Sequence, residues 1–177
     1  QQTIRNTIAW SHDLLNDDER VIFRRLSVFS GGFTLDAAEA VCAGVGELDM
    51  ETLDGVAALV DNSLVRRGRA LTPTQDPASG DAASGGGGPG PENGAGHLRF
   101  TMLETVREYG QVRLVEAGEV EAARQAHAAF FRHLAEDAQP QIDGRRATEW
   151  LERLDAESDN LRLALDWHQA EGEGGRA

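Results

Sequence analysis

A chain of 177 residues with a formal net charge of −13 is a poor candidate for non-specific binding to nucleic acid, because that affinity depends mainly on Lys and Arg side chains that neutralise phosphates. Its single cysteine excludes a disulfide framework, and no apolar run is long enough to cross a bilayer. We therefore expect a cytoplasmic protein of one domain or two small ones. Because the sequence begins without Met and in the middle of a helical pattern, we also expect it to be a fragment of a longer protein.

Four helices are predicted in the first sixty residues, over positions 3–15, 17–29, 34–42 and 50–60. Asn16 and Thr34 are good N-cap residues for the second and third of these helices. The second helix is heavily apolar and is predicted to be the buried centre of the first domain, with Arg24 and Arg25 pointing outward. The Ser-Gly-Gly-Phe sequence that follows it predicts a turn.

Two short strands are predicted to pair as a β-hairpin. Residues 64–67 and 98–102 have the composition of strands, and apolar residues alternate onto one face of the second. Between them, residues 72–96 contain four consecutive glycines and many small polar residues. This composition buries too little apolar surface to offset the chain entropy, so the segment is predicted to be disordered. Helices followed by a hairpin are the winged-helix arrangement, with residues 72–96 as the tip of the wing.

The rest of the sequence is predicted to be helical. Helical spacing of apolar residues begins at Leu103 and continues to Ala117, where Gly118 is a good C-terminal stop. Three further helices are predicted over 119–138, 145–154 and 157–170. The predicted fold class is therefore mainly α. It consists of a winged helix with one β-hairpin over residues 1–117, followed by antiparallel helical hairpins over residues 118–177.

The sequence contains no recognisable arrangement of catalytic or metal-binding residues. His127 and His133 lie six positions apart on a predicted helix, so they lack the spacing that places two ligands on one face. Cys42 lies among apolar residues and is predicted to be a core residue rather than a nucleophile. The glycine-rich segment lacks the Lys-Ser/Thr pair of a phosphate-binding loop. We therefore expect no metal site, no cofactor in this chain and no enzymatic activity of its own.

Five stretches resemble, in order and spacing, a region of one known protein class. Residues 100–110 read Phe-Thr-Met-Leu-Glu-Thr-Val-Arg-Glu-Tyr-Gly, where that class typically has aromatic-x-Met/Leu-His-Asp-Leu-x-Arg-x-Tyr/Phe-Ala. The other four are residues 10–15 (Trp-Ser-His-Asp-Leu-Leu), 23–29 (Phe-Arg-Arg-Leu-Ser-Val-Phe), 59–65 (Leu-Val-Asp-Asn-Ser-Leu-Val) and 159–162 (Asp-Asn-Leu-Arg). Together they resemble the winged-helix domain of the STAND class of signalling ATPases, the NB-ARC/AP-ATPase group. In bacteria this group includes large LuxR-type transcriptional regulators.

The resemblance implies a non-catalytic regulatory and interaction module. In that class the winged helix couples the nucleotide state of an upstream ATPase domain to a downstream helical sensor. ATP or ADP would then bind in the parent protein, and residues 118–177 would begin a tetratricopeptide-like (TPR-like) superhelical region. The partners implied are the upstream nucleotide-binding domain and the downstream repeats of the same chain, with a separate protein partner as a further option.

The resemblance also implies a cofactor contact at Leu103. This residue takes the position of the histidine of the Met-His-Asp motif, which reaches back to bound ADP and helps to hold the inactive state. Leucine cannot donate a hydrogen bond to a phosphate, so any role here would depend on packing. The alternative interpretation is that Leu103 is simply the first core residue of its helix.

DNA binding by the winged helix is a rival interpretation. Winged helices often place their third helix in the major groove, and the wing here carries positive charge at Arg66, Arg67, Arg69 and Arg99. However, the helix over residues 50–60 has no basic residue, whereas direct base readout usually uses Arg, Lys, Asn or Gln. DNA contact by this segment is therefore not expected. A protein–protein scaffold without nucleotide coupling is the third interpretation.

Overall fold

A computed structural model describes residues 2–68 and 98–174 as a mainly helical protein with a small sheet, which confirms the predicted fold class. The predicted wing tip, residues 72–96, and Arg69 lie outside the described residues. None of the helices within the described residues is long and apolar enough to cross a membrane. In chain order these helices are α1 (Gln2–Asp13), α2 (Asp17–Leu26), α3 (Leu35–Val45), α4 (Thr52–Asp61), α5 (Glu104–Glu116), α6 (Val120–Ala138), α7 (Ala147–Ala156) and α8 (Ser158–Gly174).

The sheet contains one strand more than the sequence predicts. Strands β1 (Phe33–Thr34), β2 (Arg66–Gly68) and β3 (Arg99–Thr101) lie in the order β1-β3-β2, and both pairs are antiparallel. β2 and β3 are the predicted hairpin. Phe33, predicted to lie in a turn, pairs instead with Phe100, and their rings stack with centroids 5.8 Å apart. Both rings are almost fully buried, so the aromatic pair stabilises the short strand that follows the turn.

N-cap hydrogen bonds set the starts of α2 and α3 where the sequence predicts them. The Asn16 side chain accepts from the Glu19 amide and the Glu19 carboxylate accepts from the Asn16 amide, each at 2.9 Å. This is a complete capping box. The Thr34 hydroxyl accepts from the Ala37 amide at 3.3 Å. Each bond satisfies an amide that the first helical turn leaves without a backbone partner.

Helix α2 is the buried centre of the fold, and one of its arginines is buried with it. Ile22 and Phe23 have no exposed surface, as predicted. The prediction that the arginines point outward is wrong for Arg25, which is 5% exposed. Its Nη1 donates to the carbonyl oxygens of Cys42 and Gly46, both at 3.0 Å, at the end of α3. These bonds compensate for the burial of the charge, and helical periodicity could not reveal them because the acceptors belong to another helix.

The hydrophobic core continues across residues 117 and 118, where the sequence suggests a domain boundary. α6 packs against α3 so closely that a Cβ on Gly44 would lie 2.6 Å from the Cβ of Ala126. Phe131 of α6 is fully buried, and its ring meets that of Phe29 edge-on at 6.3 Å. α8 packs in turn against α6. α6 therefore connects the winged-helix half of the chain to its last helices.

Candidate functional site

Leu103, the position matched to the nucleotide-contacting histidine, lies on the surface. It is the N-cap of α5, makes no side-chain capping bond and is 48% exposed. The interpretation of Leu103 as the first core residue of its helix is therefore wrong, because the first buried residue of α5 is Val106. Next to it, Glu104 accepts hydrogen bonds from Arg107 at 2.6 and 2.9 Å, which hold the pKa of Glu104 below its ordinary value. Leu103 can offer a neighbouring domain only an apolar contact.

The arginines predicted on the wing have different surroundings. Arg66 and Arg67 lie on β2 and are exposed. Arg99 lies on the central strand, β3, and its side chain is only 16% exposed. It forms an ion pair with Glu157, next to the start of α8. The charge of Arg99 is therefore neutralised within the protein.

Arg99 and Glu157 join the hairpin to the helical segment. Arg99 Nη1 donates to one carboxylate oxygen of Glu157, and Nη2 donates to the other at 3.4 Å. Nη2 also donates to the carbonyl oxygens of Ala156 at 2.7 Å and of Gly31 at 3.3 Å. The Glu157 side chain is 5% exposed. In such surroundings, removing one partner would leave the other as an uncompensated buried charge.

Asn160, one helical turn after Glu157, binds the backbone of the turn that precedes β1. Its Oδ1 accepts from the Ser30 amide at 2.9 Å, and its Nδ2 donates to the Gly32 carbonyl and to Glu157 Oε2, both at 2.8 Å. The orientation of the amide group follows from these partners, since the backbone amide needs an acceptor and the carbonyl needs a donor. Asn160 has no exposed surface. The Asn160 side chain therefore makes the hydrogen bonds that water would otherwise make to the backbone of this turn.

Two glycines in this turn allow β3 and α8 to approach it. Gly31 and Gly32 have φ angles of +69° and +108°, a region that residues with a side chain rarely adopt. A Cβ on Gly32 would lie 2.7 Å from the carbonyl oxygen of Phe100. A Cβ on Gly31 would lie 2.8 Å from a carboxylate oxygen of Asp159. The turn is thus a surface on which the strand and the helix both dock.

His127 of α6 lies between the same network and the aromatic core. It is 2% exposed, and its ring lies 4.7 Å from that of Phe131 and 5.2 Å from that of Phe29. Its Nε2 is 3.3 Å from Asn160 Oδ1, and because an amide oxygen only accepts, we assign the proton to Nε2. Burial lowers the pKa of His127 to about 4, and the opposing effect of the hydrogen bond to Asn160 is the smaller of the two. At neutral pH the ring is therefore uncharged.

A second charge cluster, formed by Arg24, Arg25 and Glu119, holds the start of α6. Glu119 accepts from Arg24 Nε at 2.7 Å and from Arg25 Nη2 at 3.0 Å. Burial alone would raise the pKa of Glu119, but the hydrogen bonds and charges of the two arginines together hold it below its ordinary value. Glu119 is the N-cap residue of α6. The cluster therefore links α2, the end of α3 and the start of α6.

The cluster formed by Arg99, Glu157 and Asn160 was not predicted from the sequence. Asn160 belongs to one of the stretches that carry the family resemblance, but no role followed from it. An Asn in the first turn of a helix is common, so its position did not indicate a buried polar group. The pairing of these residues could not be predicted from sequence patterns, since Glu157 and Arg99 are 58 positions apart and Asn160 and Ser30 are 130 positions apart.

The described residues offer little for metal or nucleophilic chemistry. Among them, no group of three or more His, Cys, Asp and Glu side chains could hold a metal ion. Cys42 is buried, and burial raises the pKa of its thiol to about 11. The thiolate, which is the reactive form, is therefore rare at neutral pH. What the cluster around Asn160 can do is hold two segments of the chain in one relative position.

Comparison with known proteins connects nearly the whole chain to parts of much larger ones. A protein of Mycobacterium tuberculosis described as a "putative HTH-type transcriptional regulator" is 33% identical over 172 residues, which are 97% of this chain and 17% of that protein. A Mycobacterium bovis protein with the same description matches to the same extent. An uncharacterized protein of Mycobacterium tuberculosis is 34% identical over 142 residues, which are 78% of this chain and 29% of that protein.

Neither a family model nor a solved structure matches the chain. The chain spans 17% of the length of the regulators that it matches. Because the match covers 97% of this chain, it includes both the hairpin and the start of α8. The chain is therefore homologous to a region of large proteins described as transcriptional regulators.

Proposed function

We propose that this chain is a non-catalytic regulatory and interaction module of a STAND-type ATPase transcriptional regulator. It couples the nucleotide state of an upstream ATPase domain to a downstream helical sensor. The observation that carries the proposal is the buried network of Arg99, Glu157 and Asn160, which joins the hairpin to α8. Homology to a region of large proteins described as transcriptional regulators supports the regulatory part of the proposal.

The network suits coupling because its partners belong to different parts of the chain. Arg99 lies on β3, Ser30 and Gly32 lie in the turn before β1, and Asn160 lies on α8. A displacement of the sheet changes the bonds that orient α8, and a displacement of α8 changes those that orient the sheet. Transmission between two sites requires such an element with two arrangements that both sites bias.

In this proposal the nucleotide binds outside the chain, and Leu103 meets the upstream domain. Its exposed side chain at the start of α5 provides an apolar contact rather than a hydrogen bond to phosphate. An ADP-bound state held without that hydrogen bond is expected to release ADP more readily. In the full-length protein, we expect Leu103→His to slow ADP release. Release that is unchanged by this substitution would count against a nucleotide contact at this position.

One observation favours the DNA-binding alternative, namely the term HTH-type in the description of the relatives. The matched region is 17% of those proteins, so the helix-turn-helix can lie elsewhere in them. α4, at the position of the predicted recognition helix, contains no basic residue and carries Asp54 in its first turn. A titration of this chain with duplex DNA at physiological salt is expected to show no sub-micromolar binding. Binding in that range would favour the alternative.

The decisive test is the sequence that surrounds this region in its native gene. The proposal expects a phosphate-binding loop of the form G-x-x-x-x-G-K-[ST] upstream and helical repeats downstream. Finding both would justify measurements of ADP binding and of nucleotide-dependent output on the whole protein. A reading frame that begins just before Gln1 would leave no ATPase to couple. The scaffold interpretation would then become the better one.

A further inference from the structure

The helical segment is anchored at its first helix, α6. The charge cluster around Glu119 fixes the start of α6, and the close approach of Gly44 to Ala126 fixes it against α3. α6 also buries apolar residues along most of its length. These residues are Ala123, Ala128, Phe131, Leu134 and Ala138. α3 and α8 both pack against this helix, so the buried apolar surface of α6 is shared between them. Apolar packing and charge therefore act together on α6.

Helices α7 and α8 are held differently. Among residues 139–170, the buried ones are Glu157, Asn160 and Ala164, and two of these three are polar. α7 contains no buried residue. Trp150 and Trp167 pack against the core but remain partly exposed. α8 also packs along α6, but of the described apolar residues of α7 and α8 only Ala164 is buried. The bonds made by Glu157 and Asn160 are therefore a substantial part of what holds α7 and α8 in place.

A polar contact of this kind has an open state that is not much higher in free energy. Removing Arg99 and Glu157 from water costs free energy that their attraction largely offsets, so the net contribution of a buried ion pair is often small. When α8 moves away, both charges and the Asn160 amide regain water. An apolar contact has no such compensation, since exposing it only costs free energy. The contact at α8 is thus easier to open than the contact at α6.

We propose that α7 and α8 form a releasable arm, which Arg99, Glu157 and Asn160 latch to β3 and to the turn at residues 30–32, while α6 remains anchored. The arm opens as a local unit, and the remainder of the fold persists. In the proposed function, opening of the arm changes how the downstream helical sensor is positioned relative to the rest of the chain. The proposal deepens the proposed function and rests on it for the biological role of the arm. Local opening itself is a property of this chain alone.

Hydrogen exchange followed by mass spectrometry on the 177-residue chain tests the latch. Arg99→Gln and Glu157→Gln each remove one charge of the buried pair and keep a polar side chain of similar length. Arg146→Gln is the matched control, since it removes one partner of an exposed ion pair at the start of α7. We expect amides of α7 and α8 to exchange at least tenfold faster in both latch variants. Amides of α2, α3 and α6 should stay within twofold of the wild type, and the control should change neither set.

Two results would overturn the proposal. Equal acceleration in the arm and in α2, α3 and α6 would show that the chain opens as one cooperative unit. Unchanged exchange of the arm in both latch variants would show that the network does not hold it. If neither variant folds, exchange of the wild type across a urea series decides the question. The arm must then open with a lower free energy than α2, and equal values would refute the latch.

These outcomes are independent of the test of the proposed function. A native gene without an ATPase domain would remove the coupling role and leave local opening of the arm intact. Exchange of the arm together with the core would remove the latch and leave the homology to transcriptional regulators intact. Each proposal can therefore fail without the other.

Discussion

Replacing Asn160 with Ala tests whether its bonds matter for the fold. The substitution removes the acceptor for the Ser30 amide and the donors to the Gly32 carbonyl and to Glu157, in a site where Asn160 itself has no exposed surface. Leaving a buried polar group unsatisfied costs about 1–3 kcal/mol. If α8 opens, the groups left without a partner regain water, so the loss in global unfolding is limited to the free energy of that opening. With α8 in place, two backbone groups, the proton on His127 Nε2 and part of a carboxylate lose a partner, so we expect a loss of roughly 3–5 kcal/mol in the free energy of unfolding. This is a large share of the stability of a typical domain.

The assay is urea unfolding followed by circular dichroism, with Asn62→Ala as the matched control. Asn62 is a less deeply buried Asn, and its Nδ2 makes one hydrogen bond, to the Ala58 carbonyl at 2.9 Å at the end of α4. Its removal should cost about 1 kcal/mol. If the two variants lose the same stability and the α8 amides of Asn160→Ala exchange no faster than those of the wild type, the network around Asn160 contributes no more than an ordinary helix cap. The reasoning on the buried joint would then be refuted.

A second substitution at the same position separates hydrogen bonding from charge. Asn160→Asp keeps an acceptor for the Ser30 amide, but it replaces the donor group by a carboxylate beside Glu157. The two like charges favour the protonated form, so the new carboxyl group has a raised pKa in the folded state. Stability should therefore be lower than that of the Ala variant at pH 7 and should recover relative to it as the pH falls. A constant difference between the two variants across pH would contradict this account.

Three further outcomes follow from individual residues. The pKa of His127 is about 4 in the folded chain and 6.5 ordinarily. Between these two pH values the unfolded chain binds more protons than the folded chain, so the free energy of unfolding falls as the pH drops from 6.5 to about 4. The loss should reach about 3 kcal/mol, and His127→Gln should flatten this part of the pH profile, whereas His133→Gln, at an exposed site, should not. Gly32→Ala should cost about 3 kcal/mol or more in urea unfolding, because it combines an unfavourable φ with a contact of 2.7 Å to a backbone oxygen. Gly118→Ala, with a φ of +70° and open space around it, should cost about 1–2 kcal/mol. Equal losses in the Gly32 and Gly118 variants would contradict the close contact between Gly32 and β3. Cys42 should react with a thiol reagent only as fast as the chain opens, since it is buried with a pKa of about 11, and rapid labelling of the folded protein would contradict its placement in the core.

Features that depend on neighbours in the sequence were predictable. The Asn16 and Thr34 caps involve partners three positions away, and both form as expected. The reciprocal bond from the Asn16 amide to Glu19, which completes a capping box, was not predicted. The apolar run of α2 correctly identified the buried centre, because burial of a helix follows from its own pattern of side chains. The two strands of the hairpin were also found, since each has the composition of a strand.

Features that depend on distant partners were not predictable. Arg25 is buried because carbonyl oxygens of α3 and the carboxylate of Glu119 surround its guanidinium, and the pattern of α2 contains neither. β1 forms because Phe33 has a partner in Phe100, which is 67 positions away. The candidate site is an extreme case, since every bond between Asn160 and the turn crosses more than 120 positions. Sequence patterns identified the segments that meet at the site and could not reveal that they meet.

A buried polar joint between the hairpin and α8 would be an inefficient choice if stability were its only purpose. Apolar side chains of similar volume often stabilise such a contact as well or better, because they avoid the desolvation of charges. What the polar joint adds is a single relative position, since the Asn160 amide and the Glu157 carboxylate satisfy their partners in one arrangement only. It also lowers the cost of opening, because every group involved can be satisfied by water. One defined closed state with an accessible open state is what the proposed regulatory module requires.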